Sequence, residues 1–420
     1  MYIDMNSYFA SCEQQDRPEL RGRPIGVVPF DSPTAVIIAP SVEAKKFGVK
    51  TGMRMFEAKL VCPQIIGVSV RPVLYRQYHI AIMDILRSYS DDVIPRSIDE
   101  AVMNMSSYRL VYKDFPALAR QIKADIKDKL GEFVKCSIGI APNSFLAKLA
   151  TELQKPDGLV EITPENIDEQ LAKLQLTDLP GIAKANEKRL RMIGINTPLE
   201  MRHASEALLR KAFGGVVGNF WHGKLNFVES GLHSNPFRTM SATRSLSKEM
   251  RSSKQSLESM LIALCTKLEQ RLVKQEVFCK EVSFFIKYLD GTGWDTKVQL
   301  ANPAQDGLEL RNYIREKMEI FEAEHGGKPL FNDRMRSMGV GIQNFVTDKA
   351  MQYSLFDNRI KHDVLRKAMY QLKDKYGKNS VRKAAEMFEP RILRDAIGFG
   401  SVKDLDARDG QLNQYMLEED

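Results

Sequence analysis

The chain has 420 residues, 43% of them hydrophobic, which is too long for one ordinary core and implies roughly two to four domains. A net charge of +7 and a pI near 8.9 suit a polyanionic partner without singling one out. No run approaches the ~20 apolar residues of a membrane span or resembles a secretory leader, and the five scattered cysteines form no CxxC pair, so a cytoplasmic protein with reduced thiols is expected.

From Met1 to about Gly158, strand-like runs (Ile25-Gly-Val-Val, Ala35-Val-Ile-Ile, Cys136-Ser-Ile-Gly-Ile) are interleaved with amphipathic stretches, which predicts an α/β domain. One such stretch, over 75–89, carries Ile80, Met83, Ile85 and Leu86 at helical spacing. Strand signals fade over 163–232, where Leu179-Pro-Gly-Ile and Phe213-Gly-Gly punctuate short helices and predict a small all-α unit. Ser234-Asn-Pro-Phe reads as a linker, because the residue before Pro236 is biased to extended backbone. A βαββαβ series follows: a strand from Thr239 to Leu246, a helix with Leu257, Leu261, Leu264, Leu268 and Leu272 on one face, a strand from Phe278 to Tyr288, a strand near 297–300, a helix over 308–322 and a strand over 338–345. Such a unit makes a four-stranded sheet with two helices on one face and the other free for a partner. Residues 349–420 show helical periodicity only around 364–376 and are expected to be largely disordered in isolation.

The chemistry concentrates in acids. Asp4 follows two apolar residues at the start of a strand, and the adjacent Asp99 and Glu100 sit in the strand-like Ile94-Pro-Arg-Ser-Ile-Asp-Glu-Ala-Val-Met. Acids within apolar strands are costly unless cations compensate them. Divalent metals would do so and could activate a hydroxyl while stabilising a leaving pyrophosphate; a solvated acid pair at a hairpin is the alternative reading of these residues alone.

The order of motifs decides between them. Asp4-Met-Asn-Ser-Tyr-Phe-Ala-Ser-Cys-Glu, Ser41-Val-Glu-Ala-Lys-Lys-Phe-Gly, Ser97-Ile-Asp-Glu-Ala, Lys155-Pro-Asp-Gly and Leu179-Pro-Gly-Ile together resemble the Y-family DNA polymerases over about residues 1–348, with Asn6 and the small Ser41 closer to the UmuC branch. The resemblance implies a multidomain α/β right hand. A ferredoxin-like palm would span 1–8 and 72–162, small fingers 9–71, a helix-hairpin-helix thumb 163–232, a linker 233–238, a βαββαβ little finger 239–348 and a tail 349–420. It implies an error-prone, template-directed enzyme that inserts deoxynucleoside triphosphates opposite damaged primer-template DNA. Asp4, Asp99, Glu100 and the carbonyl of Met5 would hold two Mg²⁺ ions, or Mn²⁺ in their place. Ser7, Tyr8, Phe9, Ser41, Lys45 and Lys155 would contact the nucleotide, with Phe9 as the steric gate against a ribose 2′-hydroxyl. The sequence also departs from the family pattern. Only three residues precede Asp4, so the first strand is short and the native start is expected upstream; Val42 stands where many relatives carry a phosphate-contacting Tyr; and Lys45 replaces an Arg.

For DNA, the resemblance points to Gly181, Ile182 and Lys184 in the thumb, where a Gly turn at a helix start presents N–H groups to a phosphate, although Ala183 replaces a usual second Gly. In the little finger it points to Arg238, Arg244, Lys248 and Arg251 for sequence-independent backbone contact. Gln352-Tyr-Ser-Leu-Phe resembles the bacterial sliding-clamp peptide, with Gln352, Ser354, Leu355 and Phe356 as its contacts. A recombinase filament or other SOS-type proteins are further expected partners. A catalytically inactive family member acting as a repair scaffold is the alternative, and a nucleotidyl cyclase a more distant one.

Overall fold

The computed structural model describes residues 1–230, 238–347, 359–377 and 380–384. Two compact units divide the chain, with their boundary between Ser234 and Asn235. No helix among the described residues is long and apolar enough to cross a membrane, and all five cysteines are buried and free.

The first unit begins β1 (Tyr2–Met5), α1 (Tyr8–Asp16), β2 (Ile25–Val28), β3 (Ala39–Pro40), α2 (Val42–Lys46), α3 (Met55–Val61) and β4 (Ile66–Ser69). It continues α4 (Pro72–Arg87), β5 (Val93–Pro95), β6 (Glu100–Met103), α5 (Phe115–Leu130), β7 (Cys136–Ile140), α6 (Ser144–Leu153) and β8 (Leu159–Glu161). A five-stranded sheet in the order β5-β6-β1-β7-β8 organises this part. Alternation along β1 sends Ile3 and Met5 into the core shared with α4 and α5, where Ile82, Leu86, Ile122 and Ile126 are buried. Tyr2 faces the other way, against Val102 and Ala147 of α6. Asp4, two residues on, shares that α6 face. Pro72 fits the first turn of α4, and Tyr75, His79, Ile82, Met83 and Leu86 form its buried stripe.

A smaller sheet, β3-β2-β4, has its own core of Val28, Ala35, Ile37, Val49, Met55 and Ile65. Helix α1 lies between the two sheets: Tyr8, Phe9, Ala10 and Cys12 share one buried cluster with Ile3 and Met5 of β1, with Ile25 and Val27 of β2 and with Ala39 of β3. The strand expected at 35–38 is absent. Ala35 and Ile37 are buried, but their N–H groups go to Ser32 and Met53, and only Ala39–Pro40 enter a ladder. Pro33 and Pro40 remove backbone donors on either side, so the segment crosses as an irregular bridge.

The rest of the first unit is helical as expected: α7 (Ile167–Ala172), α8 (Lys184–Arg191), α9 (Pro198–His203), α10 (Glu206–Phe213) and α11 (Gly215–Leu225). Leu171, Leu190, Met201, Leu209 and Trp221 form its core together with Leu146 and Leu149 of α6.

The second unit is β9 (Thr239–Ser245), α12 (Lys254–Lys274), β10 (Val277–Tyr288), β11 (Gly293–Ala304), α13 (Gly307–Glu324) and β12 (Met335–Thr347), the βαββαβ order read from periodicity. The strands pair antiparallel as β11-β10-β12-β9. Val282, Phe284 and Ile286 join the core with leucines of α12 and with Leu310 and Ile314 of α13, so both helices cover one face. Strand β11 is 12 residues long, well beyond the 297–300 expected. One further helix, α14 (Arg359–Tyr376), takes up the helical periodicity expected around 364–376 and docks on α12, while most of the rest of 349–420 lies outside the described residues. Its contacts are polar: Arg366 donates to Gln305, and Tyr370 to Glu269. A search for apolar periodicity alone finds the helix but not its docking.

Candidate active site

The β1–β6 ladder sets Asp4 opposite Glu100, and the Met5 N–H donates to the Asp99 carbonyl at 2.9 Å. Two acids from a strand pair and a third from the preceding bend thus meet at one end of the sheet. They line a cavity of about 520 Å³ with Met5, Asn6, Ser7, Phe9, Val42, Lys45, Lys46, Thr51, Glu152 and Lys155. Lys155 Nζ donates to Asp4 Oδ1 at 2.8 Å and to Glu152 Oε1 at 2.8 Å. Lys148 Nζ, from α6, pairs with Glu100 Oε1 and lies 3.6 Å from Asp4 Oδ2, while the Tyr2 hydroxyl donates to Glu100 Oε2 at 2.7 Å. The Ser97 hydroxyl donates to Asp99 at 2.5 Å. Among the described residues no three His, Cys, Asp or Glu side chains are gathered closely enough to hold a metal ion as they stand; ammonium groups meet the acids instead.

The electrostatics follow from this crowding. Burial pushes Asp4 up to about 6, against the opposing pull of Lys155. Burial also raises Asp99, against its bond from Ser97. For Glu100 burial acts in the same upward direction, but the bond and charge of Lys148 and the Tyr2 hydroxyl outweigh it and hold the carboxyl below its usual range. Lys155 is raised despite burial because Asp4 and Glu152 hold its proton, and Lys45 is lowered by burial and by the charge of Lys155.

Asn6 ties the site together. Its Nδ2 donates to Ser137 at 3.0 Å, and its Oδ1 accepts from the Asp157 N–H at 2.6 Å, so β1 grips the turn that carries Lys155. Gly158 closes that turn, where a Cβ would fall 1.7 Å from the Gln154 carbonyl oxygen.

The residues expected to contact nucleotide divide. Ser7 lines the cavity in a left-handed conformation (φ 48°), and its buried hydroxyl has no partner among the described residues. Lys45, Lys155 and Phe9 also line it, Phe9 stacked on Tyr75 with ring centroids 4.5 Å apart. Tyr8 borders it, but its hydroxyl is spent on the Tyr75 carbonyl at 2.6 Å. Ser41 is a correction. It is fully buried, absent from the cavity, and caps α2 by accepting from the Ala44 N–H. The small residue needed there serves a helix start. Lys148 and Tyr2 escaped the sequence reading; the only available signal was the alternation that puts Tyr2 on the Asp4 face.

Comparison with known proteins gives the family. The impB/mucB/samB family matches residues 3–152, and the impB/mucB/samB family C-terminal domain matches residues 238–355. The DNA polymerase IV of Pelotomaculum thermopropionicum is 30% identical over 408 residues, which is 95% of this chain and 98% of that protein. The chain belongs to the Y-family DNA polymerases. DNA polymerase IV 1 of Bacillus subtilis is likewise 30% identical to this polymerase over 401 residues, 92% of each chain. Among solved structures, a Y-family DNA polymerase chimera of Dbh and Dpo4 shares the fold with a TM-score of 0.69 at 20% identity, covering 83% of this chain and 99% of its own. The Dbh DNA polymerase in an insertion ternary complex gives a TM-score of 0.56 at 21% identity, covering 83% and 99%. The polymerase is thus a DNA-directed DNA polymerase of the translesion kind with a right-hand fold.

Its expected DNA contacts are differently disposed. Gly181 turns at φ 94° just before α8, whose first turn has no side-chain cap, and Lys184 is exposed there. The Ile182 side chain is buried in the helical core, so only its backbone is available to a phosphate. In the second unit Arg238 and Lys248 are exposed, Arg244 is half-buried on β9, and Arg251 is half-buried with a bond to the Met335 carbonyl at 3.3 Å. Gln352, Ser354, Leu355 and Phe356 lie outside the described residues.

Proposed function

We propose that the polymerase adds deoxynucleotides by two-metal phosphoryl transfer at Asp4, Asp99 and Glu100, as a UmuC-like member of the family acting in an SOS-type response and recruited by a sliding clamp. The observation that carries the catalytic part is the convergence of these acids, from one ladder and the bend before it, on a cavity that Lys45 and Lys155 also line. The donor set is chemically suited to Mg²⁺, or Mn²⁺ in its place: three carboxylates and the Met5 carbonyl are all hard oxygen ligands. When bound, such ions supply Lewis-acid polarisation and charge neutralisation of the reacting phosphate.

The chain's own residues do the remainder. Lys45 and Lys155 attract and orient the triphosphate, while the orphaned Ser7 hydroxyl offers it a preformed hydrogen-bond partner. Phe9, backed by Tyr75, bounds the sugar side and selects against a 2′-hydroxyl by contact alone. Asn6 and the small residue at 41 support the UmuC-like branch, and Gln352-Tyr-Ser-Leu-Phe supports clamp recruitment by a Leu-Phe anchor. An inactive scaffold is disfavoured, since it would have no reason to keep Asp4, Asp99 and Glu100 with Lys45 and Lys155 around one cavity. Primer extension on intact and abasic templates, with and without Mg²⁺ and a loaded clamp, tests the whole reading. Chelation should abolish synthesis; undiminished extension in excess chelator would overturn the two-metal site.

A further inference from the structure

Helix α14 is built inside out. Asp363, Arg366, Tyr370 and Lys373 are at most 9% exposed, turned toward a polar patch of the second unit. There Arg366 Nε donates to Gln305 at 3.1 Å, Arg366 Nη1 lies 3.7 Å from Asp306, and Tyr370 donates to Glu269 at 3.3 Å. At about 100° per residue the opposite side of the helix carries Ile360, Val364, Ala368, Leu372 and Tyr376 as a single ridge, with Leu365 beside it. Exposure on this side runs from 43% at Leu372 to 67% at Leu365. A helix anchored by its polar face and presenting an apolar ridge along its length has a surface that calls for an occupant.

Charge decides which occupant fits. Lys361 and Lys375 flank the two ends of the ridge, both exposed. An antiparallel second copy, symmetric about Ala368, would bring Lys361 of each helix against Lys375 of the other; a parallel copy would set each lysine against itself. Both arrangements oppose like charges, so self-pairing is disfavoured. The occupant needs apolar residues with acids and no base. Within 385–420, outside the described residues, 385–400 carries Arg391 and Arg394, whereas Tyr415-Met-Leu-Glu-Glu-Asp joins three apolar residues directly to three acids.

We propose that residues 415–420 dock on the exposed ridge of α14, their apolar residues against Val364, Ala368 and Leu372 and their acids toward the lysine at one end of it. Tethering within one chain gives such a segment an effective concentration on the order of 1 mM. A contact with a Kd of only about 100 µM is then closed roughly nine-tenths of the time. The latch weakens with salt, because its acidic half is screened at the surface.

Disulfide trapping in the full chain tests this, since the native cysteines are all buried. The Leu372→Cys, Met416→Cys double variant should form an intramolecular disulfide at least tenfold faster than Leu289→Cys, Met416→Cys, which places the first thiol at another exposed site of the second unit. Adding Glu418→Lys, Glu419→Lys and Asp420→Lys should slow trapping about tenfold. Equal rates for the two pairs, or indifference to charge reversal, would overturn the proposal. Mainly intermolecular disulfides from Leu372→Cys would overturn it in favour of a second copy.

Discussion

At the scale of single residues, the proposed chemistry depends on a few carboxylates whose neighbours matter as much as they do. Asp99→Ala or Glu100→Ala should lower the rate of nucleotide addition by ~10³-fold or more, because electrostatic stabilisation of phosphoryl transfer is lost, while DNA binding measured by anisotropy stays near wild type. Retention of activity within tenfold would remove these acids from the mechanism. Phe9 needs a gentler substitution than Ala. It is buried against Tyr75, and truncation to Ala would cost about 3–5 kcal/mol of stability. Phe9→Leu should keep the fold and raise the ratio of ribonucleotide to deoxynucleotide insertion; an unchanged ratio would place the gate elsewhere. The acids were legible in the sequence because their motifs come in a fixed order. Lys148 was not, because a lysine on an amphipathic helix is ordinarily solvated, and only the antiparallel ladder reveals that it reaches Glu100. Ser41 misled because a small polar residue before a helix serves a cap as readily as a ligand.

At the scale of elements, the turn over 155–158 and helix α14 are each held by side chains distant in sequence. Asn6→Ala removes the acceptor for the Asp157 N–H and the donor to Ser137, at a cost of about 1–3 kcal/mol for the stranded groups. Lys155 then loses its fixed approach, so KM for the incoming nucleotide should rise ~10-fold with a smaller change in kcat. Asn6→Asp keeps the acceptor and should recover part of the loss; equal KM values for wild type and Asn6→Ala would separate the turn from nucleotide binding. In the second unit Glu269 is fully buried and is satisfied by the Gly307 N–H, Tyr370 and Lys383. Lys383→Met should destabilise this unit by about 3–5 kcal/mol, seen as a lower Tm by calorimetry, because a buried carboxylate loses its cation. An unshifted transition would show that the contact does not bear on folding. Strand and helix order in this unit were legible from periodicity, since Val282, Phe284 and Ile286 alternate as a half-buried strand should. The attachment of α14 was not, because periodicity weighs apolar faces and this helix is held by charges.

At the scale of the whole molecule, synthesis and recruitment are proposed to reside in different segments. Replacing Leu355 and Phe356 by Ala should leave extension of short primed templates unchanged and remove stimulation by a loaded clamp, since each lost anchor costs ~2 kcal/mol or more at a hot spot. Loss of basal activity would make the segment structural, and full stimulation would move recruitment elsewhere. The ladder that sets Asp4 opposite Glu100 has a wider consequence. Were β1 to slip by one residue, Asp4 would turn into the core and Ile3 or Met5 toward the cavity, burying a charge and exposing an apolar side chain together. Misregistered molecules are therefore silent and unstable at once, with no partly active state between. Activity lost through destabilising changes far from the cavity should track the folded fraction alone, so a worn population of this enzyme makes less DNA without making it differently.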